Sequence, residues 1–268
     1  MRLESPGFYN QAMMRVLKSC ILLAGFIASA QQPKIVEITS EPSHRLVMEN
    51  DWVRVFDVVV VPKATTLVHR HDHDYVFVAL GDSDITSERP GEKPVRTTLM
   101  DGEVRFTKGG FAHDVSNNGS RSFHSTAIEI LGPSTGVHPC TESCSVDTPC
   151  LSPEPQLCPI VQTMVQSDQW KITSVILPAS ATIAEHTHTG PHMVMAVTDL
   201  DLSQMLARDK SSSYSRNGLK PIPMHRAVGD VDWIDPITHS ITNSGVQTAR
   251  FVVMEFKAPP AKDPHSGE

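Results

Sequence analysis

The 268-residue sequence lacks any run of clustered lysine and arginine, and its charge balance is mildly acidic, with a formal net charge of −7. Proteins that bind nucleic acid or an anionic membrane surface through charge carry basic patches or stripes. The composition therefore gives no indication of nucleic acid or of an anionic membrane as a partner. A small molecule is the partner class that remains to be examined.

The apolar run near the N-terminus, Cys20–Ile27, is too short to cross a bilayer. Two basic residues precede it, and the small-x-small sequence Ala28–Ala30 follows it. This order predicts a secretory signal peptide over residues 1–30, with no membrane span after cleavage. We expect a secreted or periplasmic protein cut near Ala30. A start at Met13 or Met14 and an N-terminal core helix are the alternatives.

Cysteine is scarce, and four of the five cysteines lie within nineteen residues. These four are Cys140, Cys144, Cys150 and Cys158. The same stretch contains three prolines, so we predict an irregular linker over residues 137–165. In an exported protein, four cysteines in a loop without its own core predict two disulfides, whose pairing the sequence leaves open. A zinc site is the alternative, but the close Cys-x-x-Cys pairs typical of zinc sites are lacking.

The sequences on the two sides of this linker resemble each other. HRHDHDYVFVALGD (69–82) aligns without a gap with HTHTGPHMVMAVTD (186–199). HDVSNNGS (113–120) aligns in the same way with HSITNSGV (239–246). Several matching blocks in the same order indicate a duplicated domain.

Two domains follow from the duplication, at residues 31–136 and 166–258, with a disordered Pro-rich tail at 259–268. Nearly all recognisable elements are short strands rich in β-branched or aromatic residues. Only DLSQMLARDK (201–210) suggests one or two helical turns. Closely spaced strands in two copies predict an all-β fold of two small antiparallel barrels. We expect five aromatic residues to fill the barrel cores: Phe56, Phe77, Phe106, Trp233 and Phe251.

Three histidines at alternate positions, His69, His71 and His73, would share one face of a strand. The duplication separates them, because His69 and His71 align with His186 and His188 whereas His73 aligns with a glycine in a turn. We therefore expect the strand to end near His71 and to restart four residues later, across a hairpin. His73 is then a turn residue and not a ligand.

A third histidine in each half comes from a distant strand. Neutral imidazoles that converge from separate strands are good ligands for first-row transition metals. Three of them leave open positions for water, substrate or dioxygen, unlike a closed structural site. We predict one metal site in each half. The predicted ligands are His69, His71 and His113 in the first half, and His186, His188, His192 and His239 in the second.

A glutamate stands ten residues beyond the last glycine of each repeated block, Glu129 in the first half and Glu255 in the second. Both alternate with apolar residues in a predicted strand. We expect them to be acids at a strand end or on the outer face. A position inside the barrel is the alternative.

These motifs are similar to those of the cupin superfamily, and more narrowly of the two-domain bicupins. The first cupin motif, Gly-x5-His-x-His-x3,4-Glu-x6-Gly, matches at both His-x-His pairs, and the second, Gly-x5-Pro-x-Gly-x2-His-x3-Asn, at both third histidines. In the second motif Lys108 replaces the proline of the first half, and the second half is one residue short before His239 and lacks the middle glycine. The resemblance covers roughly residues 45–131 and 166–257. It implies two tandem antiparallel cupin barrels (double-stranded β-helix, or jelly roll) joined by the Cys/Pro-rich linker. It departs at the acidic ligand, where Tyr75 and His192 replace glutamate.

The departure bears on the metal that the resemblance implies. Bicupins such as oxalate decarboxylases and quercetin dioxygenases use three histidines and the glutamate, whereas thiol dioxygenases and some ring-cleaving dioxygenases hold iron with three histidines. The first half resembles the latter type. This implies Fe(II), with Mn, Ni, Cu or Zn as alternatives, and Tyr75 as the catalytic residue that orients a ligand or donates a proton. With His192, the second half could form a tighter, less reactive four-histidine site.

Three functions stay open at this point. The first is an exported metal-dependent oxidoreductase of the dioxygenase kind that acts on a small molecule. The second is a non-catalytic module that binds a small molecule, and the third is a metal-dependent isomerase or lyase. The fold does not choose among them, because cupins host many functions. A homo-oligomer is compatible with all three.

Overall fold

The computed structural model describes residues 34–140, 154–207 and 220–257, and within them nearly all regular structure is strand. The strands of the first half are β1 (Val36–Glu37), β2 (His44–Glu49), β3 (Val53–Val60), β4 (His69–His71), β5 (Tyr75–Ala79), β6 (Ser83–Glu88), β7 (Val95–Leu99), β8 (Val104–Thr107), β9 (Phe111–Asn117) and β10 (Phe123–Ile130). Those of the second half are β11 (His138–Pro139), β12 (Ile160–Gln166), β13 (Trp170–Leu177), β14 (Thr182–His188), β15 (His192–Ala196), β16 (Leu200–Leu206), β17 (Ile222–Arg226), β18 (Val231–Ile234), β19 (Ile237–Asn243) and β20 (Ala249–Phe256).

Two short 3₁₀ turns, Ile38–Ser40 and Pro155–Leu157, are the helical elements of the described ranges. Neither has the length or the apolar character that a membrane crossing by a helix requires.

The first half forms a barrel from two five-stranded sheets, with the orders β1-β4-β9-β6-β7 and β2-β3-β10-β5-β8. All pairings are antiparallel apart from the parallel contact of β1 with β4. Inward side chains of both sheets, such as Phe56 and Val58 from one and Leu99 and Val115 from the other, form a single buried cluster. The predicted antiparallel barrel is confirmed for this half.

The second half repeats the barrel with a six-stranded sheet, β11-β12-β13-β20-β15-β18, and a four-stranded sheet, β14-β19-β16-β17. Its interior core includes Leu177, Phe251, Leu200 and Ile241. Strands β11 and β12 fall within the stretch predicted as a linker, yet they pair within this sheet. The second barrel therefore begins earlier in the chain than the duplication alone indicates.

Several predictions concern residues outside the described ranges. The signal peptide over residues 1–30 and the tail at 259–268 are among them. Cys144 and Cys150 also lie there, so the disulfide pairing among the four clustered cysteines stays a prediction.

The helical turns predicted at 201–210 were wrong over the part that is described, which is strand β16. It pairs with β17 on one side and with β19 on the other. Leu200 and Leu202 are buried on the inner side, whereas Asp201 between them is exposed. Hydrogen bonding on both edges and this two-residue alternation outweigh a weak local helix preference.

The chain turns as predicted after His71 and resumes as a strand at Tyr75, with His73 in the bend between them. The predicted hairpin was wrong, because β4 pairs with β9 in one sheet and β5 pairs with β8 and β10 in the other. The bend therefore carries the chain from one sheet of the barrel to the other. This corner brings Tyr75 back over the face on which the histidines lie.

The largest buried cluster joins the two halves. Outward side chains of β3 and β10, including Val55 and Ile128, pack in it with Ile172 of β13 and Met254 of β20, and each is at most 1% exposed. Because side chains alternate along a strand, the same strands line a barrel interior with one face and this shared core with the other.

Two of the five aromatic residues that were predicted to fill the barrel interiors lie elsewhere. Phe56, Phe77 and Phe251 pack in the barrel interiors as expected. Phe106 and Trp233 instead pack against the core between the barrels. They stand on outward positions of β8 and β18, which the alternating pattern could not distinguish from inward ones while both faces were apolar.

The shared core makes a testable contribution to stability. Met254 is fully buried in it, and we expect Met254→Ala to lower the free energy of unfolding by about 2–5 kcal/mol. The matched control is Met100→Ala, since Met100 is 71% exposed and its truncation is expected to cost less than about 0.5 kcal/mol. Urea unfolding of the two variants measures both values. Equal effects would contradict a shared core that holds the halves together.

Candidate metal centres

Three histidines meet inside the first barrel as the motif spacing predicts. The ladder between β4 and β9 places His69 opposite His113, and His71 follows two residues later on the same face. Ring centroids are 4.7 Å apart for His69 and His113, 5.1 Å for His69 and His71, and 5.2 Å for His71 and His113. All three side chains are buried.

A fourth histidine, His44 of β2, also reaches this site, and the sequence reasoning missed it. The centroids of the His44 and His69 rings are 4.5 Å apart. One ligand nitrogen from each of His44, His69 and His71 lies within 4.8 Å of the other two. The repeat gave no signal for His44, because Val161 occupies the equivalent position of the second half. His44 pairs with Val58 of β3, and Val161 pairs with Val175, the corresponding residue of β13.

A buried carboxylate holds the ring of His44. Glu41 is 3% exposed, and its Oε2 lies 2.6 Å from Nδ1 of His44. Burial acts to raise the pKa of Glu41, but the hydrogen bond and the charge interaction with His44 outweigh it, so the net shift is downward. An ionised carboxylate at Nδ1 leaves Nε2 of His44 as the nitrogen available to a ligand.

The rings of His69 and His113 are also held through Nδ1. His69 Nδ1 donates to the carbonyl oxygen of Leu67 at 2.9 Å, and His113 Nδ1 lies 2.8 Å from Oγ of Ser87. Because a carbonyl can only accept, Nε2 of His69 carries the free lone pair. That nitrogen is buried and has no hydrogen-bond partner in the part of the chain that the structure describes. A buried lone pair among other imidazoles fits a bound metal ion.

Glu129 contradicts the expectation of an outward or strand-end acid. It is 1% exposed and lies on the inner face of β10, two residues from Ala127, which lines the same cavity. Its Oε1 is 3.6 Å from Nδ1 of His71, longer than a hydrogen bond, and its Oε2 accepts a hydrogen bond of 3.2 Å from Arg54. The carboxylate therefore lies beside Nδ1 of His71, and Nε2 is the ring nitrogen on the other side from it.

The same arrangement occurs in the second barrel, so the expectation for Glu255 was wrong as well. Oε1 of Glu255 is 3.6 Å from Nδ1 of His188, and its other oxygen is 2.8 Å from Nζ of Lys171. Lys171 occupies in β13 the position that Arg54 has in β3. The recurrence of both glutamates at one offset was the sequence signal that could have placed them inside.

Tyr75 lies flat on the ring of His71, with centroids 4.1 Å apart and an interplanar angle of 15°. Burial raises the pKa of Tyr75 to about 12. The phenol is therefore protonated at neutral pH and can donate a hydrogen bond, but it cannot serve as a base. The structure thus places the predicted catalytic residue beside a predicted ligand.

Three histidines also converge in the second barrel. His186 stands opposite His239 across β14 and β19, and their Nε2 atoms are 3.1 Å apart. One ligand nitrogen from each of His186, His188 and His239 lies within 4.8 Å of the others. The fourth predicted ligand, His192, instead stacks on His188 at 3.9 Å and 18°, as Tyr75 does on His71. His186 and His188 are less buried than the corresponding histidines of the first barrel.

Three of the buried rings, His69, His113 and His239, are neutral at neutral pH. Burial, followed by repulsion from neighbouring histidines, lowers the pKa of His113 to about 2 and that of His239 to about 3. Burial and then His44 lower the pKa of His69 to about 3. Their lone pairs are therefore available at neutral pH, which metal binding by imidazole requires.

Each histidine cluster opens into a cavity inside its barrel, of about 200 Å³ in the first and about 340 Å³ in the second. These volumes suit small molecules. Apolar atoms form most of the wall surface in both, and histidines line each cavity.

Comparison with known proteins gives one sequence relative and many similar structures. No protein-family model matches the chain. Over 70 residues it is 39% identical to the β-alanine degradation protein BauB of Pseudomonas aeruginosa, a match that covers 26% of this chain and 73% of BauB.

The structural likenesses are close in fold and distant in sequence. Procruciferin, an 11S globulin from Brassica napus, has a TM-score of 0.54 at 9% identity, covering 77% of this chain and 76% of its own. The oxalate decarboxylase formate complex of Lactobacillus farciminis has a TM-score of 0.51 at 13% identity, covering 79% and 78%. AerE from Microcystis aeruginosa has a TM-score of 0.52 at 10% identity, covering 81% and 99%. An enzyme and a globulin therefore share this architecture.

The neutral histidines predict that stability depends on pH. Their pKa values are low in the folded protein and about 6.5 in the unfolded chain, so between these values the unfolded chain binds more protons. We expect the free energy of unfolding to be highest above about pH 6.5 and to fall below it, by up to about 1.4 kcal/mol per pH unit for each buried histidine. Urea unfolding of metal-free protein from about pH 7.5 to about pH 4.5 measures the slope. A slope that His113→Gln leaves unchanged would contradict this origin.

The carboxylate behind His71 predicts a specific loss of metal affinity. Glu129→Gln keeps the shape of the side chain but removes its charge, and we expect the affinity of the first barrel for Zn²⁺ to fall about 10- to 100-fold. Competition with a chromogenic chelator measures this affinity. Glu49→Gln is the matched control, since Glu49 also binds Arg54 but stands at the exposed side of the barrel. Equal losses in both variants would show that Glu129 acts only through Arg54.

Proposed function

The chain is a bicupin, a member of the cupin superfamily with two barrels, and from this premise we propose that it is an exported metal-dependent oxidoreductase of the dioxygenase kind acting on a small molecule. The observation that carries the proposal is the buried Nε2 of His69, which has no partner in the described part of the chain and faces other neutral imidazoles. The export component rests on the N-terminal segment at residues 13–32.

Fe(II) is the metal that we favour, with Mn, Ni, Cu or Zn as alternatives. The donors of the first barrel are nitrogens without a carboxylate among them, because Tyr75 replaces the acidic ligand of the cupin motif. His69, His71 and His113 would hold the ion, and His44 adds a fourth nitrogen beside them. When bound, such an ion supplies Lewis acidity and redox chemistry with dioxygen.

The surrounding residues prepare this site for catalysis. Glu129 and Arg54 fix the orientation of His71, so that little reorganisation is needed when a ligand binds. Tyr75 keeps its proton and can donate a hydrogen bond to a substrate oxygen near His71. Apolar walls limit the access of water, which strengthens each polar interaction in the cavity.

We place the reaction in the first barrel and a metal-binding role of lower reactivity in the second. His69 and His71 are at most 2% exposed, and Tyr75 lies directly on the ring of His71. In the second barrel His192 replaces Tyr75, so the phenol that could donate a proton is missing from that position. The similarity to BauB, a protein named for β-alanine degradation, supports a small polar metabolite as the substrate class.

Metal content and oxygen consumption test the proposal together. We expect the purified full chain to contain a first-row transition metal by elemental analysis. It should also consume oxygen with small thiols, catechols or diketones. In His71→Ala the rate should fall about a hundred-fold or more, because a ligand is lost. His73→Ala is the control, since His73 lies in the bend after β4 and does not line the cavity.

Three outcomes would count against the proposal. Wild-type protein without metal after reconstitution with each candidate ion would remove the site assignment. Equal activities of His71→Ala and His73→Ala would place the reaction elsewhere. Saturable binding of a small molecule with metal bound and no turnover would favour the non-catalytic binding module.

A further inference from the structure

We propose that the cavity of the first barrel binds a small carboxylate, and that the guanidinium of Arg89 holds its negative charge. This inference deepens the proposed function, on which it rests, by naming the substrate class. It is carried by the position and the missing partners of Arg89, and by the contrast between the two cavities.

Arg89 follows β6 directly and lines the cavity together with His71 and His113. Its guanidinium carbon lies 3.8 Å from the centre of the Phe111 ring. The centroid of that ring is in turn 5.1 Å from that of His113. Phe111 thus supports the guanidinium through its π face and positions it one ring away from the metal ligands.

The donors of Arg89 are unused. Within residues 34–140, 154–207 and 220–257, the side chain makes neither a hydrogen bond nor an ion pair. Other half-buried arginines of the same barrel are paired, Arg54 with two glutamates and Arg105 with Glu103 at 2.6 Å. A half-buried guanidinium with five free donors at a cavity wall is suited to a planar, bidentate anion.

The charge of the cavity favours the same ligand. Arg89 is the unpaired charge among the described lining residues, because Arg105 is paired with Glu103, and none of these lining residues is an acid. His113 is neutral and Tyr75 is protonated, so neither offsets the positive charge. A divalent metal would add to it. A carboxylate could therefore enter this low-dielectric space with its charge compensated, whereas a cation could not.

The second barrel provides an internal comparison. The pairing of β6 with β9 ends at Glu88, and Arg89 follows it at the position that Leu206 of β16, opposite His239, has in the second barrel. The cavity of the second barrel is lined by two acids, Glu185 and Glu255, and by one base, Lys171, which is paired with Glu255. The recognition of an anion is therefore a property of the first barrel alone among the two described cavities.

A binding experiment tests the inference without turnover. The full chain, once metal-free and once loaded with redox-inactive Zn²⁺, is titrated with propanoate and with its neutral isostere propanamide, and ligand-observed NMR gives the dissociation constants. We expect propanoate to bind at least about ten-fold more tightly than propanamide in both forms. Arg89→Gln should reduce the ratio of the two dissociation constants to about one. Arg89→Lys should keep part of the preference for propanoate, since lysine keeps the charge but lacks the planar, bidentate donors of the guanidinium.

The matched control is Arg96→Gln, because Arg96 is exposed and paired with Asp84 on the outside of the same barrel. It should leave the ratio unchanged. Equal binding of acid and amide, no binding of propanoate, or a preference that survives Arg89→Gln would each overturn the inference. Circular dichroism confirms that the Arg89 variants are folded, and the charge-retaining lysine variant separates loss of charge from loss of fold.

The result is independent of the proposed oxidoreductase activity. An Arg89-dependent preference for propanoate in a protein that never consumes oxygen would support anion recognition and reject the dioxygenase proposal. Oxygen consumption with neutral substrates that Arg89→Gln leaves unchanged would support the dioxygenase proposal and reject anion recognition by Arg89.

Discussion

The central strands of each barrel bury both of their faces, and the rest of the structure depends on this constraint. In β10, Ala127 lines the cavity and Glu129 lies on the same face beside His71, whereas Ile128 and Ile130 enter the core between the barrels. In β5, Tyr75 faces the metal ligands while Val76 faces the other barrel. A strand in this position cannot shift register by one residue without moving its polar side chains into the shared core. The packing of the two barrels therefore also fixes the residues of the site.

Both barrels stabilise a buried glutamate near the histidines in the same way. A cation from the third strand binds a glutamate from the last strand, which faces the second histidine of the His-x-His pair. In one barrel these are Arg54 and Glu129, in the other Lys171 and Glu255. A buried carboxylate without a partner would be costly, so the cation is needed as much as the glutamate. The pair keeps the imidazole fixed while its other nitrogen stays available.

The two sites differ at two positions where the repeated barrels carry different residues. His44 of the first barrel corresponds to Val161, and Tyr75 corresponds to His192. Each barrel thus has one histidine beyond the three shared ones, from a different strand, and the first barrel also has the phenol of Tyr75. The difference gives the first site a protonated phenol and a carboxylate-bound histidine, and it gives the second a stack of two imidazoles. One scaffold can in this way hold two centres of different reactivity.

The sequence by itself determined the duplication, the strand-rich barrels, the three histidines of each site and the position of His73 in a bend. These features are encoded in local spacing and in alignment of the chain with itself, so no tertiary information is needed to read them. The sequence does not determine which face of an apolar strand lines a cavity, because both faces are apolar when two barrels pack together. Phe106 and Trp233 were misplaced for that reason. The tertiary structure alone decided that His44 joins the site and that Arg89 stands unpaired at the cavity wall. Each of these depends on contacts between strands that are far apart in the chain, and their spacing along the sequence carries no trace of them.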